Sequence, residues 1–297
     1  MKAYTDLVKY VYENGEERTD RTGNGTISEF GTILEVDLIE GFPLTTHKRT
    51  SFKNIMGELV WFMSGETNIK PLLKHNIKIW NEWADENGDL GPVYGAQWRG
   101  RGKKNDQLAQ VIHDIVHNPQ SRRLLVCAWD ADVLPDPTID PKSNAEGIQN
   151  LPPCHFAFQF YVHNDGRLDI MWSQRSCDII LGGGYNLASY SALVHIVAAM
   201  TGLTPGKVRG SIGDTHIYKT HVNEGCMDMI YNAELHPLPQ FDVTSVVDNI
   251  GHLSVEAISD YLDTTFNLTS NPEKFAELCN SLQNYQSGRA SKFTIAV

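Results

Sequence analysis

The stretch Leu151-Pro152-Pro153-Cys154-His155-Phe156-Ala157-Phe158-Gln159-Phe160-Tyr161-Val162 leads through His163-Asn164-Asp165-Gly166 into Leu168-Asp169-Ile170-Met171-Trp172-Ser173-Gln174-Arg175-Ser176. Phe156, Phe158, Phe160 and Val162 alternate, as do Leu168, Ile170 and Trp172, and period-two alternation marks a half-buried strand. Asn164-Asp165-Gly166 is turn chemistry. The segment therefore reads as a hairpin whose outer strand ends carry Cys154 and Arg175. A thiolate, not a thiol, is the nucleophile, and a neighbouring cation favours it. A lone cysteine in a Pro-rich turn is more often a buried structural residue, so the rest of the chain must decide.

Working outward, Arg123 to Trp129 reads as a buried strand, preceded by a helix over 106–117 with Asn105 as its cap. Residues 132–150, rich in Pro, Asp and Asn, read as a loop. Residues 188–200 form an apolar helix ended by Gly202. Residues 1–15 carry helical spacing in Tyr4, Leu7, Val8 and Val11; residues 20–26 form a polar turn; Ile33 to Leu38 reads as a strand. Phe52, Ile55, Met56, Leu59, Phe62 and Met63 make one face of a buried helix over 51–63. Glu58 lies inside that helix, where burial would raise its pKa and suit it to moving protons. Beyond about residue 240 the patterns weaken into short strands and helices.

The chain has 297 residues, ample for a large core. No apolar run reaches membrane-spanning length, and the N-terminus has no signal-peptide core. Five cysteines without CxxC spacing suggest neither disulfides nor a metal site. A reducing cytoplasm fits them. The net charge of -11 argues against general nucleic-acid binding. An anionic small substrate would need a local arginine cluster, for which Arg21, Arg122, Arg123 and Arg175 are candidates.

Over nearly its full length the chain resembles thymidylate synthases. The resemblance rests on Asp20-Arg21-Thr22-Gly23, Gly41-Phe42-Pro43-Leu44, Glu58-Leu59-Val60-Trp61-Phe62, Ile79-Trp80-Asn81-Glu82-Trp83-Ala84 and Gly91-Pro92-Val93-Tyr94-Gly95. It continues through Ser121-Arg122-Arg123, Pro153-Cys154-His155, Gln174-Arg175-Ser176, Asn186-Leu187-Ala188-Ser189-Tyr190, Gly213-Asp214-Thr215-His216-Ile217-Tyr218 and Ile295-Ala296-Val297. It is weakest over 132–149 and 240–284. It implies a single catalytic domain over 1–297 of the α+β (three-layer α/β) class. Its large mixed, twisted β-sheet would be covered by helices and use one face for dimerisation.

The resemblance implies one-carbon transfer from 5,10-methylenetetrahydrofolate to C5 of dUMP, with no metal. Cys154 would add to uracil C6 and so make C5 nucleophilic, with Arg175 favouring the thiolate. Glu58 would organise protons near O4, and Tyr94 would help remove the C5 proton. Asn186 would donate to O4 and accept from N3–H, a pattern that cytosine reverses; the related cytosine-acting hydroxymethylases carry Asp there. Arg21, Arg175 and Ser176 would hold the phosphate with Arg122 and Arg123 of a partner subunit, because guanidinium forks suit phosphate even in an acidic protein. His216 and Tyr218 would bind the 3′-hydroxyl. Ile79, Trp80, Trp83, Asp178, Leu181, Gly182, Tyr185 and Val297 would line the folate site, Asp178 bonding the pterin, and Lys48 would meet the glutamate tail.

The chain departs from the family at Gly183, Gly184 and Tyr185, where Val or Leu, Pro and Phe are usual. Ser173 replaces Tyr, and Gly57 replaces His. Glycines remove apolar bulk and loosen the backbone, and a looser, wetter pocket would let water attack the C5 methylene and give 5-hydroxymethyl-dUMP. Reductive methylation is the first expectation and hydroxymethylation the second. A catalytically silent nucleotide- or protein-binding member is a third reading, opposed by the retention of Cys154, Glu58, Tyr94 and Asn186.

Overall fold

A computed structural model describes residues 1–19, 23–101, 104–140, 143 and 146–295. The first half contains α1 (Lys2–Asn14), β1 (Glu16–Arg18), β2 (Thr26–Asp37), α2 (Phe52–Ser64), α3 (Lys70–Lys74), α4 (Tyr94–Trp98), α5 (Gln107–His117) and β3 (Leu125–Cys127). The second half contains β4 (His155–Val162), β5 (Arg167–Asp178), α6 (Gly184–Thr201), β6 (Thr204–Tyr218), α7 (Lys219–Asn223) and α8 (Cys226–Tyr231). It ends with β7 (Gln240–Phe241), α9 (Val255–Thr265), α10 (Pro272–Asn280) and β8 (Leu282–Gln283).

Six strands form one mixed sheet in the order β1-β2-β6-β5-β4-β3. β4 and β5 are the expected antiparallel hairpin, with Phe158 opposite Trp172 and Phe160 opposite Ile170. β5 and β6 run parallel, joined across the sheet by α6. That helix is buried on every side, because it packs on β5 and β6 below and against α2 above. α1 covers β2 with Tyr4, Leu7, Val8 and Val11. The opposite face of the sheet leaves Ile33, Tyr161 and Met171 exposed.

Helix ends follow local chemistry. Ser51 caps α2 by accepting from the Asn54 amide, and Gly65 closes it in the left-handed region at φ 74°. Gly202 does the same for α6 at φ 71°. The cap of α5 is Asp106, one residue beyond the expected Asn105: its Oδ1 accepts from Ala109 N at 3.0 Å while Oδ2 pairs with the buried Arg99. β2 starts at Thr26, seven residues before the expected strand, and β3 is shorter than expected.

No alternation in the sequence marks the 15-residue β6. It is interrupted by Gly206, Gly210 and Gly213, which dilute its apolar pattern. Two of these glycines answer to packing. A Cβ on Gly210 would lie 2.3 Å from the Trp172 ring, and one on Gly213 would lie 2.8 Å from the Arg175 carbonyl oxygen.

Candidate active site

The hairpin delivers its two outer ends to one place. The Arg175 amide donates to the Cys154 carbonyl at 2.8 Å. The Arg175 guanidinium donates through Nε to Pro153 O and through Nη2 to Pro152 O, both at 3.0 Å, and its Nη2 stands 3.8 Å from Cys154 Sγ. Prolines fix the loop and contribute only acceptors, so this loop presents carbonyls to a cation. A register shift between His155 and Ala157 lies next to the thiol, the kind of bulge that re-aims a side chain.

The cation alone does not yield a thiolate here. Burial pushes the Cys154 thiol above its ordinary value, and the opposing pull of Arg175 is the smaller effect. Cys154 is therefore a protonated thiol at neutral pH.

Tyr94, at the start of α4, accepts from the Cys154 amide at 2.9 Å. Its ring stacks between Phe62 (4.8 Å) and His155 (4.4 Å). Burial, reinforced by Cys154, holds its hydroxyl well above the ordinary phenol range. Tyr94 thus acts as a neutral hydroxyl. His155 is neutral too: burial lowers it to about 3, and its Nδ1 lies 2.8 Å from the Tyr190 hydroxyl.

Glu58 faces this cluster from α2. Burial among apolar side chains raises it to about 7, outweighing the hydrogen bond that Trp80 Nε1 donates to its Oε1 at 2.8 Å. Trp80 is buried, with Trp83 edge-on at 5.7 Å. Ile79 and Trp83 are half-buried beside it.

Asn186 lies in the first turn of α6. Its Oδ1 accepts from Gln174 Nε2 at 3.1 Å, and the same Nε2 donates to Ser176 O at 3.0 Å. Trp172 Nε1, a donor only, binds Gln174 Oε1 at 3.0 Å. That donor fixes the Gln174 amide, which in turn fixes the Asn186 amide. Gln174 and His155 were missed as site residues. The available signal was their phase: each is a polar residue at a buried strand position, where Gln174 continues the inward series Leu168, Ile170, Trp172.

Ser176 stands opposite Asp214 and Asp178 opposite His216 across β5 and β6, so the sugar and folate candidates share one sheet end. His216 Nδ1 is 3.2 Å from Asp214 Oδ1, and its ring meets Tyr218 edge-on at 5.0 Å. Asp178 Oδ1 accepts from Ile180 N and Leu181 N at 3.0 and 3.2 Å, capping a π-helical turn over Ile179–Gly183 that runs into α6.

Lys48 Nζ donates to Ile180 O at 2.7 Å, and burial lowers it to about 8. The glycine run is not uniformly loose. A Cβ on Gly184 would lie 2.7 Å from Thr45 Cγ2, and one on Gly183 would be 3.3 Å from Ile179. At Gly57, Ile77 Cδ1 fills the space, 2.2 Å from where a Cβ would sit. Only Gly182 is open, with Asn186 Oδ1 alone nearby at 3.6 Å.

Arg122 and Arg123 are exposed and stand away from the thiol of their own chain. Phe160 N donates to Leu124 O, which places both arginines beside the Val162 end of β4, about 20 Å along the strand from Cys154. Arg21 and Val297 lie outside the described residues. Among the described residues no group of three or more His, Cys, Asp or Glu side chains could hold a metal ion, and no helix is long and apolar enough to cross a membrane.

A thiol beside a cation, a carboxyl that titrates near neutrality and a fixed side-chain amide converge at one sheet end. The family model for thymidylate synthase matches residues 2–265. The chain belongs to the thymidylate synthase family, one-carbon transferases that act at C5 of dUMP with methylenetetrahydrofolate as cosubstrate.

Proposed function

We propose that this enzyme reductively methylates dUMP to dTMP. Cys154 Sγ adds to C6, and the charge that moves toward O4 is met by the proton that Glu58 holds. Asn186, with Oδ1 turned toward Gln174, accepts from N3–H through a second lone pair and donates Nδ2–H to O4. Tyr94, neutral and tied to the Cys154 amide, helps guide the C5 proton away. Methylenetetrahydrofolate supplies the carbon and then the hydride. Expulsion of Cys154 from C6 restores the uracil ring.

The observation that carries methylation over hydroxymethylation is the indole of Trp80, buried and held across Glu58 at 2.8 Å. A closed aromatic wall keeps water from the electrophilic methylene while hydride arrives. The packing of Gly183 and Gly184 against Ile179 and Thr45 supports the same reading. One observation favours the second reading, 5-hydroxymethyl-dUMP. Burial raises the Tyr185 hydroxyl above its ordinary range, and the Glu58 charge adds to the rise, so a polar group borders the wall. Incubation of dUMP with methylenetetrahydrofolate decides between them: dTMP with an equal amount of dihydrofolate is expected. 5-Hydroxymethyl-dUMP without dihydrofolate would overturn methylation.

The working unit in this reading is a homodimer of single-domain chains. Tyr161 and Ile33 are 63% and 61% exposed on the uncovered sheet face, a cost that a second copy would remove. The position of Arg122 and Arg123 supports their serving the partner's phosphate site, while Arg175 and Ser176 serve their own. Lys48, held under Ile180, acts as a prop for the folate-side turn. The five thiols, all free, suit a reducing cytoplasm.

A further inference from the structure

The segment between Trp83 and Tyr94 carries one wall of the folate site into the residue that touches Cys154 N. No helix or strand longer than a single bridge supports it. Its backbone carbonyls still need donors. Two consecutive side chains, at the far end of the loop where the family resemblance is weakest, supply several of them. Asn150 Nδ2 donates to Trp83 O at 3.1 Å and to Asp89 O at 3.2 Å, while Asn150 N donates to Leu90 O at 2.9 Å. Gln149 Nε2 donates to Pro92 O at 2.9 Å. Both residues are buried. Because Trp83 O and Asp89 O can only accept, the orientation of the Asn150 amide is set by chemistry.

The two backbones also touch. Gly91 sits at φ 68°, and a Cβ there would lie 2.0 Å from Ile148 O. Only a glycine permits this approach. From Asn150 the chain reaches Cys154 through Leu151 and two prolines, which leave little slack. Cys154 N then binds Tyr94 OH, closing a ring in which the wall segment and the nucleophile loop are joined at both ends.

We propose that Asn150, assisted by Gln149, is a positioning residue that braces the folate-side aromatic wall against the nucleophile loop. The inference rests on the folate-dependent reading above. The brace sets the place of Trp83 and the reach of Tyr94, so its loss should weaken folate binding and admit water without loosening the nucleotide.

The test compares wild type with Asn150→Asp, which keeps the shape but turns an oxygen toward two carbonyls, and with Gln149→Leu, which keeps bulk but drops one donor. For Asn150→Asp, KM for methylenetetrahydrofolate should rise about tenfold. The dissociation constant of dUMP should stay within about twofold, and the 5-hydroxymethyl-dUMP share of product should increase. Gln149→Leu should show the same split, smaller, and it carries the test if Asn150→Asp does not fold. A lowered Tm with folate KM and product ratio unchanged would reduce the pair to ordinary structural residues and overturn the proposal. Binding of tetrahydrofolate to the dUMP complex, read by tryptophan fluorescence, shows the same split without turnover. A wild type that binds both ligands but makes no product would therefore refute the proposed reaction and still test the brace.

Discussion

Replacing Glu58 by Gln should make the protein more stable at alkaline pH and nearly leave stability alone at acid pH. In the folded chain burial raises Glu58 from its ordinary 4.5 to about 7. The unfolded chain thus releases the proton at lower pH than the folded one. Between those values the folded state binds more protons than the unfolded state, so stability falls as pH rises and levels off above about 8. At about 1.36 kcal/mol per pK unit, the rise corresponds to about 3 kcal/mol. Gln avoids that cost and keeps an oxygen for the Trp80 N–H, so the local geometry is conserved. Urea unfolding of both proteins, at one protein concentration because association shifts apparent stability, should give a midpoint about 1 M higher for Glu58→Gln at pH 8.5. At pH 4.5 the two curves should nearly coincide. Turnover should fall by at least about a hundredfold at every pH, since in the proposed reaction Glu58 carries the proton. Equal midpoints at pH 8.5, or a gain of the same size at both pH values, would refute the claim that the Glu58 charge is what burial penalises.

Two further outcomes follow from the same geometry. Cys154→Ala alone and Arg122→Ala/Arg123→Ala alone should each be nearly inactive, but dissociated and reassociated together they should recover about a quarter of wild-type turnover. Half the dimers are then mixed and each has one intact site; no recovery, with mixed dimers shown to form, would mean that the arginines serve their own chain. Asn186→Asp, in which Gln174 still finds an acceptor, should lower kcat/KM for dUMP by about 10⁴ and raise it for dCMP. Unchanged preference in a competition assay would show that Asn186 does not read the base.

What could be read from the sequence, and what could not, divides by the range of the interactions involved. Cys154 and Arg175 are far apart in number, but a hairpin with clear alternation and turn chemistry joins them, so their meeting was legible. β6 was not, because the glycines that let Trp172 and the Arg175 backbone approach erase the alternation that reveals a strand. The glycine run after Leu181 gave the opposite error. Its lack of side chains suggested room, but Thr45, more than 130 residues earlier, occupies the space beside Gly184. The bond from Lys48 to the Ile180 carbonyl has the same long range, since nothing near Lys48 in the chain marks the π-helical turn as its acceptor. Gln174 could have been found from its inward phase, whereas its bond to Asn186 depends on how α6 returns over the sheet.

In the proposed reaction the protonation states of the site favour Glu58, rather than the residues nearest the sulfur, as the carrier of protons. When Cys154 adds to C6, its thiol proton has to leave, and later a proton has to leave C5. Arg175 accepts none. His155, lowered to about 3, stays neutral through the physiological range, and protonating it there would be costly. Tyr94 holds its proton well above neutrality and can relay through a hydrogen bond but not store charge. Among the described residues of the wall facing Cys154, Glu58 alone is raised to about 7, where both its states are populated at neutral pH. Burial therefore acts in opposite directions on one reaction. It holds Cys154 as a thiol, which slows the first step, and it brings Glu58 to the pH at which it can give and take the protons that the step requires. Arg175 offsets the first effect only in part, so formation of the adduct should depend on the nucleotide itself, whose O4 receives the charge and whose binding brings Glu58 into use.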